Sequence, residues 1–424
     1  MDFRPPDWVR QTNIYEVNIR QYTHEGTFKA FIPHLPRLKD MGVETLWLMP
    51  VTPISKKNRK GVLGSYYAAS DYTSVNPEFG TLDDLRILVR EAHIQGFRMI
   101  IDWVANHTGW DHKWTIEHPD YYKINTDTGD FIRASGMDDI IELNFGNPDL
   151  VAAMINAMRF WITECDIDGF RCDLAFWVEL KFWQQARREL DTSKPLFWLG
   201  ELDPLEHPEY MGAFDAAYTW RWMHRTEEYY KQRLPFPVLT AILTEYEAVG
   251  NGSMRAWFTS NHDENSWNGT EYEKYGDMAK ALAVFSCTWN GLPLIYSGQE
   301  LPNHKRLKFF EKDEIPWTGE CELELFYTKL LSLHKRHPAL AAGDPAAALV
   351  KLEMADDQRV LAYVRETGDA SLTVVLNFSG DPVDYRSAHL HAQFRDVFSG
   401  EALALSGTLS LQAWSYTVLE RTGD

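Results

Sequence analysis

Short apolar runs recur along the chain, each ending in polar residues, with longer stretches of helical periodicity between them. The runs lie near Ile14–Val17, Thr45–Leu48, Met99–Asp102, Gly169–Cys172, Phe197–Gly200, Asp215–Ala217, Arg255–Phe258 and Leu294–Tyr296. Strand-like runs alternating with amphipathic helices predict an α/β fold. One helix is predicted to open at Thr81-Leu82-Asp83-Asp84, a capping-box-like start with acids in the first turn. Another opens after Asn147-Pro148-Asp149, where Asp149 is expected to cap the free N–H groups.

The interval from His107 to Asn147 is too long for a simple loop. It holds Trp110, Trp114, Tyr121, Tyr122 and the turn-like Asp127-Thr128-Gly129-Asp130. After Pro338 the pattern changes, with a boundary at Ala341-Ala342-Gly343-Asp344-Pro345. Short alternating runs follow at Ala347–Leu352, Val360–Arg365, Ser371–Asn377 and Ala413–Leu419, the pattern of an antiparallel β-sandwich.

Four runs end in residues with catalytic potential: Asp102-Trp103-Val104-Ala105-Asn106-His107, Gly169-Phe170-Arg171-Cys172-Asp173, Leu199-Gly200-Glu201, and Phe258-Thr259-Ser260-Asn261-His262-Asp263. Polar groups gathered from successive strand ends are the design of a (β/α)8 barrel, and 424 residues suit one barrel plus a smaller domain. Taken singly, a strand-end acid or a buried histidine is an ordinary structural residue. Four such segments in order, at helix-sized intervals, are not.

Composition narrows the function. The net charge of −19 excludes nucleic acid and anionic membranes as natural partners. Aromatic residues make up 13% of the chain, with 16 Trp. Such rings stack on sugar faces, but each Trp taken alone reads as core. Cys165, Cys172, Cys287 and Cys321 have neither Cys-x-x-Cys spacing nor histidine neighbours, so neither zinc nor a disulfide framework is expected. The start, Met1-Asp2-Phe3-Arg4-Pro5-Pro6, lacks a signal-peptide pattern, and no apolar run approaches the ~20 residues of a membrane span. A cytoplasmic location is expected.

The four segments resemble the conserved regions of the α-amylase superfamily, glycoside hydrolase family 13. The resemblance covers nearly the whole chain and implies a (β/α)8 barrel over residues 1–107 and 147–338. It also implies a short inserted domain over 108–146 and a C-terminal β-sandwich over 339–424. Retaining cleavage needs two carboxyl groups roughly 5 Å apart. Asp173 and Glu201 end neighbouring strands, one helix and one strand apart. By resemblance Asp173 is the nucleophile, Glu201 the general acid/base, and Asp263 the third acid, gripping sugar hydroxyls. Asp102 is expected to act structurally at the barrel rim.

Nearby residues fit these roles. Arg171, two positions before Asp173, points the same way on a strand and would hold that carboxylate ionised. Glu201 follows Phe197-Trp198-Leu199, an apolar setting that raises a carboxyl pKa. The resemblance implies that His107 and His262 hydrogen-bond the sugar and that Tyr67 stacks on it. Val75-Asn76-Pro77-Glu78-Phe79-Gly80-Thr81 also matches the family pattern. It offers Asn106 as a ligand of a structural Ca2+, with no cofactor needed for the chemistry. One departure is Trp177, where many members have histidine, which implies a different platform for the outgoing sugar. Glu311, Lys312 and Asp313 read as a solvated rim facing the cleft.

The expected function is a retaining hydrolase of α-1,4 bonds in starch-derived chains or maltooligosaccharides. A 4-α-glucanotransferase, an isomerising or sucrose-acting relative, and a non-catalytic carbohydrate-binding protein are the alternatives.

Overall fold

Eight parallel strands close into a barrel in the computed structural model, which describes residues 3–249, 254–352 and 359–422. They are β1 (Ile14–Val17), β2 (Thr45–Leu48), β3 (Arg98–Trp103), β4 (Gly169–Cys172), β5 (Phe197–Gly200), β6 (Ala216–Tyr218), β7 (Met254–Trp257) and β8 (Leu292–Tyr296). Each pairs with its sequence neighbours, and β8 closes on β1 through Ile14 beside Leu294. The strands are mostly apolar because helices cover the barrel's outer surface, so both faces of each strand are buried; Glu16, Asp102 and Arg171 are charged exceptions.

Register decides what meets at the top of the barrel. Asp102 on β3 lies beside Arg171 on β4, and Cys172 on β4 beside Gly200 on β5. Gly169 permits the close β4–β5 approach, since a Cβ there would sit 2.1 Å from the Phe197 carbonyl oxygen. The residues following these strands, Asp173 and Glu201, therefore emerge side by side.

The helix Leu82–Ile94 begins with the expected capping box, Thr81 and Asp84 bonding each other's backbone N–H groups. The helix Pro148–Cys165 differs from expectation. Its cap is Asn147, whose side chain accepts from the Asp149 N–H, while Asp149 sits inside the first turn. Pro148 explains this, because proline favours the first helical position and makes its predecessor the cap.

The segment between β3 and that helix is built on two short antiparallel strands, His107–Gly109 and Ile140–Glu142. Beyond the barrel, a six-stranded antiparallel sheet packs against the ribbon Val383–Arg386 with Thr408–Leu411. Val375, Phe394 and Leu419 of the sheet meet Tyr385 and Leu411 of the ribbon, a sandwich core. Ring packing of Trp289 on Tyr363, centroids 4.7 Å apart, joins it to the barrel. No helix among the described residues is long and apolar enough to cross a membrane. The described cysteines are all free, and Cys165, Cys172 and Cys287 are buried.

Candidate active site

Arg171 stands at the centre of the barrel mouth, completely buried. Its Nη1 donates to Asp102 Oδ1 and to Asp173 Oδ1, both at 2.9 Å. Its Nη2 pairs with Glu201 Oε2 at 2.7 Å, and its Nε donates to the Tyr218 hydroxyl at 3.3 Å. The Trp47, Tyr218 and Tyr67 rings enclose the guanidinium, which lies 4.9, 5.6 and 5.9 Å from their centroids. One cation thus serves three carboxylates, whereas the sequence had pointed only to Asp173. A planar, always-charged fork suits that task and a lysine does not.

The three carboxyls are buried, and burial disfavours their charged forms. Burial raises Asp102 and Asp173, with Arg171 pulling against it in each case. Burial pushes Glu201 up to about 7; Arg171 opposes this, and the charges on Asp173 and Asp263 add to it. The elevation of Glu201 agrees in direction with its apolar approach strand. Of the acids at this site, Glu201 is therefore the one poised to carry a proton near neutrality.

Backbone geometry also orients Glu201. Leu174, immediately after Asp173, adopts a left-handed conformation with φ 37°. Its N–H donates to Glu201 Oε2 at 2.8 Å. A branched aliphatic residue in that region carries strain, and here the strained turn aims a main-chain donor at the acid.

A second chain of contacts runs from His262. Burial lowers its pKa, but the facing carboxylates of Asp263 and Glu16 outweigh that and raise it to about 9. The imidazolium donates from Nδ1 to Glu16 Oε1 at 2.5 Å and from Nε2 to the Tyr67 hydroxyl at 2.7 Å. Tyr67 in turn donates to Asp102 Oδ2 at 3.0 Å, and Trp47 Nε1 donates to the same oxygen at 3.2 Å. Glu16, His262, Tyr67, Asp102, Arg171 and Asp173 therefore form one alternating series of charges and donors. Asp102 is an interior link in it, consistent with a structural role.

Tyr67 stacks on His262 (centroids 5.4 Å, 16° between planes) and on Phe309 (6.2 Å, 22°). Asp263 is the most open of the acids, its side chain 39% exposed and 3.4 Å from His262 Nε2. His107 is buried, and burial lowers its pKa to about 4, so it is neutral. Its Nε2 has no hydrogen-bond partner among the described residues. A buried unpaired ring nitrogen is what a bound hydroxyl can satisfy. Trp177 closes a short turn, Ala175–Trp177, after Asp173 and stands half-buried outside the carboxylate network.

Asn106 is buried, its Nδ2 lying 3.3 Å from His107 Nδ1 and its carbonyl accepting from the Leu143 N–H at 3.0 Å. Calcium takes six to eight oxygen ligands, usually including carboxylates. Asp139, the acid whose field reaches His107, is paired with Lys60 Nζ at 2.8 Å. No group of three or more His, Cys, Asp or Glu side chains suited to a metal occurs among the described residues. Among the described residues these side chains do not make up a calcium cage at Asn106.

The charged loop after β8 is a brace. Glu311 Oε1 accepts from the Val62 N–H at 3.1 Å, Lys312 Nζ donates to the Thr23 carbonyl at 3.0 Å, and Asp313 accepts from the Lys308 N–H at 2.9 Å. Sequence reasoning missed Glu16, Trp47, Tyr218 and Phe309. Glu16 left a signal, a carboxylate inside the otherwise apolar Ile14-Tyr15-Glu16-Val17. The three aromatic residues left none, since their types suit any core.

The family described as "Alpha amylase, catalytic domain" matches residues 10–133 and 118–316 of this chain. The chain belongs to the α-amylase family. It is a glycoside hydrolase. A second family, described as "Maltogenic Amylase, C-terminal domain", matches residues 352–418. Among relatives, "Alpha-amylase 2" of Dictyoglomus thermophilum is 26% identical, over 94% of this chain and 74% of its own length. Two solved structures, an α-amylase from Lactobacillus plantarum and the noncanonic maltogenic α-amylase AmyB from Thermotoga neapolitana, each superpose with a TM-score of 0.88. Both are 26% identical and match over 98% of this chain and 100% of theirs.

Proposed function

We propose that this α-amylase family member is a retaining hydrolase that cleaves α-1,4-glucosidic bonds in starch-derived chains or maltooligosaccharides. The observation that carries the reading is Arg171, held at once by Asp102, Asp173 and Glu201. A guanidinium spanning two catalytic carboxylates fits the ~5 Å spacing of a retaining pair, not the wider gap that admits water in an inverting one. Asp173, ionised and oriented by Arg171, attacks the anomeric carbon. Glu201 gives its proton to the departing glycosidic oxygen. The outgoing sugar leaves with that proton, and the remaining sugar stays bonded to Asp173. Glu201, now ionised, takes a proton from water. The resulting hydroxide attacks the anomeric carbon, the Asp173 ester bond breaks, and the enzyme returns to its starting state. Asp263 and His107 grip sugar hydroxyls, and Tyr67 packs against the ring, while His262 and Asp102 hold Tyr67. Trp177 offers a stacking platform for the outgoing sugar.

A chromatographic time course on maltoheptaose tests this. Shorter oligosaccharides alone are expected, with the anomeric configuration retained in the first products. Products longer than maltoheptaose would mean that a sugar hydroxyl, not water, resolves the intermediate. Inverted products would overturn the assignment of Asp173.

A further inference from the structure

Most tryptophans of this chain are core or partly covered, as single-residue reasoning expects. Trp267 differs: it is 52% exposed, the one exposed Trp among the described residues. It stands four residues beyond Asp263, on a single π-helical turn, Glu264–Asn268. Such turns are costly and cluster at functional sites. The turn is firmly anchored. Glu264 is buried against Lys274 and accepts from Asn268 Nδ2 at 2.9 Å. Asn265 ties it to the loop after β8, donating to the Lys305 carbonyl at 3.1 Å and accepting from the Leu307 N–H at 2.8 Å.

The anchoring sets Trp267 against that loop's aromatic pair. Its ring lies 5.4 Å from Phe309 and 5.6 Å from Phe310. Phe309 is itself the ring that stacks on Tyr67. A continuous line of packed rings therefore leads from the Tyr67–His262 stack through buried Phe309 out to the exposed indole of Trp267. A large exposed apolar ring held rigid beside a cleft has lost its entropy before a ligand arrives, which favours its use as a binding face.

We propose that Trp267, backed by Phe309 and Phe310, stacks on a glucose unit outside the pair flanking the scissile bond and so gives the enzyme its preference for longer chains. This rests on the α-glucan reading above. It concerns a part of the substrate that does not react, so it raises affinity for long substrates without changing the bond-breaking step.

The test compares Trp267→Ala and Trp267→Phe with the native chain on maltoheptaose and on 4-nitrophenyl α-glucoside, which has one sugar. The ratio of kcat/KM for the long over the short substrate falls about tenfold in Trp267→Ala, carried by KM, and is largely restored in Trp267→Phe. Isothermal titration of maltoheptaose into Asp173→Ala, with and without Trp267→Ala, separates this idea from the hydrolase reading. About tenfold weaker binding in the double variant supports the shelf even if the native enzyme releases no product. An unchanged ratio, or equal affinity in the two Asp173→Ala backgrounds, overturns it.

Discussion

Replacing Arg171 with Met, a side chain of similar reach without charge, tests the core of this site. The substitution leaves Asp102, Asp173 and Glu201 buried without the cation that contacts each of them within 2.9 Å. Removing one partner of a buried ion pair costs about 3–5 kcal/mol, because it strands an uncompensated charge. Here three acids share the loss, but they can respond by taking up protons. Each already has its folded pKa raised by burial. A carboxyl raised in this way contributes stability that is fully present below its unfolded value of about 4 and is lost as pH rises through its folded value. Without Arg171 those folded values climb further. The variant should therefore be nearly as stable as the native protein at pH 5, where the acids hold protons. It should be about 3–5 kcal/mol less stable at pH 8. Urea unfolding followed by tryptophan fluorescence at the two pH values measures the difference. A destabilisation that is equal at both, or below about 1 kcal/mol at pH 8, would show that Arg171 does not carry the carboxylates' charge.

Four further outcomes are expected. The pH profile of kcat/KM should fall on the alkaline side near 7 as Glu201 loses its proton, and on the acid side as Asp173 gains one; Glu201→Gln should abolish the alkaline limb. That variant should also form the glycosyl-enzyme readily from substrates with activated leaving groups, and equal loss on natural and activated substrates would remove Glu201 from the acid role. Glu16→Gln takes away a carboxylate facing His262, so the imidazole, held protonated to about pH 9 in the native site, should titrate lower by NMR while kcat/KM falls; an unmoved titration would sever Glu16 from the network. Exhaustive chelation should leave the thermal midpoint unmoved, and a drop reversed by calcium would mean that Asn106 belongs to a cage after all.

What the sequence determined by itself is the part governed by local pattern. Ile14–Val17, Thr45–Leu48, Gly169–Cys172 and Phe197–Gly200 are strands with the bounds the apolar runs predict. A strand covered on both faces is mostly apolar and ends where polar residues gather, with Glu16 and Arg171 as charged exceptions. The acids were legible for the same reason, since they stand where those runs stop. Weak local pattern hid the rest. Val383–Arg386, Gln393–Asp396, Ala402–Ala404 and Thr408–Leu411 are short and half-exposed, and only pairing within the sandwich makes them strands. Tertiary structure alone decided the electrostatics. The register of β3 on β4 put Asp102 against Arg171, and barrel closure brought Glu16 to His262, 246 residues away. Whether a buried histidine is neutral, like His107, or cationic, like His262, depends on which carboxylates face it. Of those carboxylates, Asp263 is the residue next to His262, but Glu16 lies on β1 and reaches it only through barrel closure. No periodicity in the chain encodes that, because Coulomb energy depends on distance in space and on the water excluded between the charges.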